Sequence, residues 1–269
     1  TTALKQVKKL GDKSGVGNSL NNIGGVHFYK GDYDKALGYF ERYLAICKEL
    51  GAKLEIGLSL NNIGNVHNSK GDYQKGLECY KRSLAIAEEL GDMVKMGSVL
   101  GNIGSLCEDK GEHQKALDYY KRSLAIAEEL GNKRGMIVMF ISIGVIHYNR
   151  GEDTKTAENL EKTSVIQNEI GLGGELKLWV TTYLFLAYKN LGKEYDEGKI
   201  QTTIKEVEYI EVELNLRLYQ LLEDTSYLDT AYNQVQEKAE DLEDGDKIKF
   251  LTTPIPKAII EEYNKVFKK

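Results

Sequence analysis

His27, His67 and His147 recur at one position of a repeating pattern, 40 and 80 residues apart. Imidazole is the side chain best suited to ligate a transition metal or to move protons near neutral pH. A spacing of 40 places consecutive histidines on equivalent helices of neighbouring units, about 10 Å apart. One zinc ion, with bonds of about 2 Å, cannot bridge that distance. Histidines that recur with a repeat cannot supply a Ser/His/Asp triad either, so they read as packed or half-buried residues. His113 stands alone beside a helix start, as a solvated residue. The three cysteines Cys47, Cys79 and Cys107 form no CxxC pair, and such a scattered odd set fits reduced core thiols rather than a disulfide framework or zinc site. No GxxxxGK[ST] phosphate loop is present, and Gly171-Leu172-Gly173-Gly174 both follows and precedes a helix, so it reads as a loosened loop. The acidic pairs Glu88-Glu89 and Glu128-Glu129 sit near helix ends, on solvated faces. The expectation is a chain with no catalytic residues, no metal and no cofactor.

The elements that carry these residues repeat. Residues 10–49 align without gaps on residues 50–89 with 23 of 40 positions identical, and 90–129 and 130–169 continue the series. The run KRSLAIAEELG occurs unchanged at 81–91 and 121–131. A 40-residue period signals a stack of supersecondary units. Of the 27 glycines of the 269-residue chain, 13 fall into three columns of this register. Gly11, Gly51, Gly91, Gly131 and Gly171 form one column, and Gly31, Gly71, Gly111 and Gly151 another; both read as helix stops in the left-handed conformation. Gly24, Gly64, Gly104 and Gly144 lie inside an apolar-periodic stretch, where glycine costs about 1 kcal/mol of helix propensity. Close approach of a neighbouring helix is the expected compensation. Between the stops, Ile56, Leu60, Ile63 and Val66, then Tyr73, Leu77, Tyr80 and Leu84, show the three-and-four spacing of amphipathic helices. Each repeat is therefore a helix–turn–helix hairpin.

These residues resemble the tetratricopeptide signature, Leu-x-x-Ile-Gly-x-x-His-x-x-x-Gly-Asp-Tyr-x-x-Ala-x-x-x-Tyr/Phe. Its small residue is Gly24, Gly64, Gly104 and Gly144; its following aromatic is His27, His67, Cys107 and His147; its interhelix Ala is Ala36, Gly76, Ala116 and Thr156; and its last aromatic is Phe40, Tyr80, Tyr120 and Leu160. The 40-residue period and the Leu-Gly stop in place of proline resemble the long-helix variety of kinesin light chains and of many bacterial signalling proteins. The resemblance implies an all-α, right-handed α-solenoid, a superhelix of helix-turn-helix repeats closed by C-terminal capping helices. Residues 3–10 align with 43–50, so 1–10 reads as a remnant of a preceding repeat helix in an array that continued N-terminally. Residues 11–170 hold four repeats. Residues 171–224 read as a degenerate fifth repeat with a long second helix through Ile204, Val207, Ile210, Leu214, Leu218 and Leu221. Residues 225–269 read as capping helices, with an acidic turn from Asp241 to Asp246. The tail is also similar to the C-terminal ends of large bacterial signalling proteins.

Carried onto this sequence, the family's groove-facing positions include Asn21, Asn22, Phe28, Tyr29, Asn61, Asn62, Asn65, Asn68, Asn102, Ser105, Glu108, Asp109, Tyr148 and Asn149. Asparagine is a poor mid-helix residue, yet it fills this stripe. An exposed Asn column offers donors and acceptors to the backbone of an extended peptide. Alternatively, Asn22, Asn62 and Asn102 hydrogen-bond between neighbouring repeats; both readings stand. None of these positions is basic, which excludes the carboxylate clamp of chaperone-binding members, while Glu108 and Asp109 favour a partner with basic character.

The resemblance implies a non-catalytic protein–protein interaction scaffold or sensor that binds a peptide or protein in its groove. The alternatives are the regulatory region of a larger signalling enzyme (ATPase, cyclase, kinase or protease) and a self-associating array. The net charge of -5 argues against nucleic-acid binding. The repeated Tyr33, Tyr73, Tyr80, Tyr119 and Tyr120 occupy packing positions rather than a base-stacking platform. No stretch reaches the about 18 apolar residues of a membrane span. With no leader visible ahead of the reduced thiols, the expected compartment is the cytoplasm.

Overall fold

The computed structural model describes residues 12–240, 242 and 244–268. Among these residues every regular element is an α-helix, and the helices follow one another in antiparallel-type hairpins. The remnant helix expected over 1–10 lies outside the described residues, as do Asp241 and Glu243 of the acidic turn. Contacts divide the chain into two compact units, with the boundary between Met139 and Phe140.

The first unit contains three hairpins: α1 (Lys13–Tyr29) with α2 (Tyr33–Glu49), α3 (Lys53–Ser69) with α4 (Tyr73–Leu90), and α5 (Met93–Asp109) with α6 (His113–Glu129). The glycine stops behave as the sequence implies. Both stop columns, from Gly31 to Gly171, take positive φ, Gly71 at 78° for example. In α4 the buried stripe runs Gly76, Tyr80, Ser83 and Ala87, the spacing of one helical face. The small-residue column is buried throughout, with Ala36, Ala116 and Thr156 fully inaccessible. Serines fasten the second and third hairpins from inside: Ser83 Oγ donates to the Gly57 carbonyl at 2.7 Å and Ser123 Oγ to the Gly97 carbonyl at 2.8 Å.

The mid-helix glycines face a ring of their own hairpin. A Cβ on Gly64 would lie 2.6 Å from the Tyr80 ring, and one on Gly104 would lie 2.6 Å from the Tyr120 ring. Glycine is thus required where an aromatic of the second helix lies flat against the first.

The second unit takes the end of α7 (Lys133–Asn149), then α8 (Asp153–Glu169), α9 (Glu175–Asn190), α10 (Glu197–Lys205), α11 (Val212–Leu222), α12 (Thr225–Glu240), α13 (Asp244–Leu251) and α14 (Pro254–Phe267). Helix α9 is its centre. Residues 180–187 are buried without interruption, the pattern of a helix enclosed on all sides. Leu178, Leu184 and Phe185 of α9 pack with Ile200, Leu214, Leu218 and Leu221 in one cluster. The opposite face of α11 presents Leu216 to Leu228, Ala231, Val235 and Ile259 of α12 and α14.

The long second helix expected through Ile204–Leu221 is not formed. Helix α10 ends at Lys205 and α11 begins at Val212. The apolar period continues across the break because both pieces face the same core. The backbone does not continue, because the Ile210 carbonyl accepts from Asn215 Nδ2 at 3.0 Å and from Gln234 Nε2 at 2.9 Å. Those side chains satisfy a group that would otherwise need a helical amide. The acidic turn is also shorter than expected, since α13 already starts at Asp244.

Candidate functional site

The histidine column does not assemble a site; it fastens turns. His27 Nδ1 lies 2.9 Å from Asp32 Oδ2, His67 Nδ1 3.3 Å from Asp72 Oδ2, and His147 Nδ1 2.8 Å from Glu152 Oε2. Each acid occupies the position just before the second helix of the same hairpin. The imidazole therefore ties the end of one helix to the start of the next. The signal was in the sequence as an acid five residues after each histidine. In the third hairpin, where Cys107 replaces histidine, Glu112 is held instead by Lys110 at 2.6 Å and Lys115 at 2.8 Å. These two ammonium groups hold the Glu112 carboxyl down at about 2. Burial pushes the His147 pKa below its ordinary value despite the nearby carboxylate. With Glu152 ionised, Nδ1–H of a neutral ring is the donor.

The expected groove residues of the first unit lie together along α1, α3 and α5. Asn62 Nδ2 donates to Asn21 Oδ1 and Asn102 Nδ2 donates to Asn61 Oδ1, both at 2.9 Å and both across 41 residues. Asn62 and Asn102 therefore bridge neighbouring repeats, each reaching the preceding one. Each bond runs from this column to the adjacent one, which holds Asn21 and Asn61. The reason is the stagger between successive first helices, which brings position n of one opposite position n+1 of the next. Asn68 Nδ2 reaches Asp109 Oδ2 across the same 41 residues at 2.7 Å, while Asn68 Oδ1 is buried without a partner.

At the α1–α3 end a concavity of about 390 Å³ is lined by Asn21, Asn22, Phe28, Tyr29, Asn62 and Asn65, with Gly25 at its wall. Tyr29 is 90% exposed there. The polar capacity is only partly used. Asn62 has spent a donor on Asn21 and keeps its carbonyl oxygen. Asn65 Oδ1 accepts from Tyr80 Oη at 2.7 Å, which leaves the Asn65 amide protons as donors. Asn22 is exposed.

Towards α5 the face is more closed. Ser105 is half-buried, and Glu108 accepts from Tyr120 Oη at 2.8 Å. Burial pushes the Glu108 carboxyl pKa up. Asp109, which is exposed, accepts from the Asn68 amide. Tyr148 and Asn149 belong to the second unit. Tyr148 packs edge-on against Tyr183 with ring centroids 4.9 Å apart, and the Arg217 guanidinium lies 5.3 Å from its centroid; Asn149 is exposed.

The family model of the tetratricopeptide repeat matches residues 1–49, 55–129 and 95–165. These segments cover more than half of the chain, which belongs to the tetratricopeptide repeat family. No curated protein sequence matches it. Among solved structures it is similar to aspartyl phosphate phosphatase F from Bacillus subtilis, with a TM-score of 0.67 at 16% identity over 99% of this chain. It is similar to a kinesin light chain from Podosopora anserina with nearly identical repeats, with a TM-score of 0.53 at 14% identity over 76% of this chain and 95% of the other. It is also similar to a signal transduction ATPase with numerous domains, carrying a tetratricopeptide repeat sensor, from Pyrococcus horikoshii, with a TM-score of 0.61 at 18% identity over 98% of this chain. The chain spans 63% of the phosphatase and 39% of the ATPase. At these identities the likeness is one of fold.

Proposed function

We propose that this chain is a non-catalytic interaction module whose first-helix face takes an extended segment of a partner protein. The observation that carries the reading is the concavity between α1 and α3. It combines the exposed Tyr29 ring and the half-buried Phe28 ring with unspent amide donors and acceptors on Asn22, Asn62 and Asn65. Extended peptides present alternating carbonyls and amides with side chains between them, which this mixture complements. The three cysteines, none paired with another, support placing the protein in the cytoplasm, and we read residues 225–269 as the cap of the repeat array.

An array of extended peptides, probed with the wild-type chain and with a Tyr29→Ser, Asn22→Ala double variant, tests the proposal. Both side chains are exposed, so the fold is preserved. The expected result is a defined subset of peptides bound by the wild type and lost by the variant. Identical binding by both proteins would remove the α1–α3 face from consideration.

A second reading is favoured by the ATPase comparison, in which a tetratricopeptide repeat sensor is one part of a longer protein. The same groove would then regulate an enzymatic module on the same polypeptide. Self-association of the array is the third arrangement, and sedimentation against concentration separates it from the other two.

A further inference from the structure

The second unit contains a concavity of about 260 Å³ between the start of α9 and the segment that joins α10 to α11. Its walls are Trp179 and Leu176 of α9, Tyr209 of the connecting segment, and the carboxylates of Glu175, Glu211 and Glu213. The volume is below that of a drug-sized ligand pocket and suits one long side chain. Tyr209 is 57% exposed and Leu176 37% exposed at its mouth, so apolar surface is held in water beside three acids.

The charges around it are unevenly matched. Glu213 accepts from Tyr183 Oη at 2.6 Å and lies 3.4 Å from the Arg217 guanidinium. Lys177, the cation on α9 nearest in sequence, is taken by Glu206 at 3.3 Å. Glu175 and Glu211 have no ion-pair partner among the described residues. The same unit shows from within what such walls accept. Arg217 lies over the rings of Tyr148 and Tyr183, 5.3 and 5.7 Å from their centroids, with Glu213 at its edge. Trp179 stacks on Tyr183 at 4.1 Å and extends this aromatic surface to the concavity.

We infer that this concavity is a binding site for an arginine side chain of a partner polypeptide. The guanidinium lies against Trp179 and Tyr209, and its N–H groups point to Glu175 and Glu211. A planar, weakly hydrated cation gains from the aromatic faces and from paired carboxylates together. The site does not depend on the groove of the first unit.

Trp179 is the single tryptophan of the chain, so tryptophan fluorescence in the folded protein reports on a wall of this site. The probe is N-acetyl-argininamide, titrated at constant ionic strength beside its neutral isostere N-acetyl-citrullinamide. The expected result is a saturable change for the arginine compound and none for the citrulline compound. A Glu175→Gln, Glu211→Gln double variant, whose melting curve serves as the folding control, is expected to bind about tenfold more weakly. Equal responses to the two compounds, a response that never saturates, or undiminished affinity in the folded double variant would overturn the inference. The Tyr29→Ser, Asn22→Ala variant is expected to bind the arginine compound as the wild type does, so failure of the groove proposal and failure of this one are distinguishable.

Discussion

The two units of this chain meet the same demand, helix packed on helix, by different means. In the first, each hairpin lays an aromatic from its second helix flat against a glycine of its first: Phe40 on Gly24, Tyr80 on Gly64, Tyr120 on Gly104. Outside that contact, asparagines link one hairpin to the next. In the second unit the aromatic becomes Leu160, the glycine survives as Gly144, and in the following hairpin Leu184 occupies the position. Cohesion there comes from a helix buried on every side and from the Tyr148–Tyr183–Arg217 stack. A strict repeat specifies its geometry with small residues and polar links. A drifted repeat substitutes aliphatic bulk, which adjusts more readily to its neighbours.

The sharpest way to break that contrast is to make one change in both units. Gly104→Ala places a Cβ 2.6 Å from the rigid Tyr120 ring, whereas Gly144→Ala places it 3.2 Å from Leu160 Cδ2. In both cases alanine gains about 1 kcal/mol of helix propensity. Overpacking against the ring costs about 1–3 kcal/mol, while a leucine methyl can turn aside. Denaturant unfolding is expected to show Gly104→Ala destabilised, by up to about 2 kcal/mol after that gain, and Gly144→Ala unchanged or stabilised. A penalty of equal size at both positions would mean that the bulk of the facing residue does not set the requirement for glycine.

A smaller effect tests the polar links. Asn62→Ala removes the donor to Asn21 and is expected to cost about 1 kcal/mol, the net worth of one such bond. Most of that loss is expected to vanish when Asn21 is already alanine, because the two share the contact. Additive losses in the Asn21/Asn62 cycle would assign the asparagines to the groove alone and leave the ladder without energetic weight.

Much of this was legible in the sequence because a repeat writes its local rules several times. The stops at Gly31, Gly71 and Gly111, the small column at Ala36 and Ala116, and the inward-facing Tyr80 and Tyr120 are short-range features, and periodicity exposes them. What was not legible depends on distant partners. The break at residues 206–211 leaves the apolar period intact, and its cause lies partly at Gln234, 24 residues beyond the carbonyl it satisfies. The repeat named the bridging asparagines but not their partners 41 residues away, because stagger between stacked helices is a tertiary quantity. The concavity at Trp179 required the broken helix, since a continuous one would not place Tyr209 and Glu211 opposite the start of α9.

The smallest expected effect concerns the turn ties. Burial lowers the His147 pKa from its ordinary 6.5, so between that lowered value and 6.5 the unfolded chain binds more protons than the native one. Stability then rises with pH through this window and is lost on acidification below about 6.5. The partner Glu152 is held below 4.5, chiefly by Lys155 and then by His147 and Arg150; its contribution persists above 4.5 and disappears as pH falls through its lowered value. The third hairpin of the first unit has no histidine at this position. Its Glu112, held at about 2 by Lys110 and Lys115, contributes above 4.5 and loses that contribution only at the acid end, as pH falls towards about 2. Urea midpoints at pH 7.5 and pH 5.5, read through Trp179 in the second unit, are therefore expected to differ less in His147→Gln than in the wild type. A pH slope in that window undiminished by the substitution would trace the acid sensitivity to another group and leave His147 as a packing residue with no titrating role.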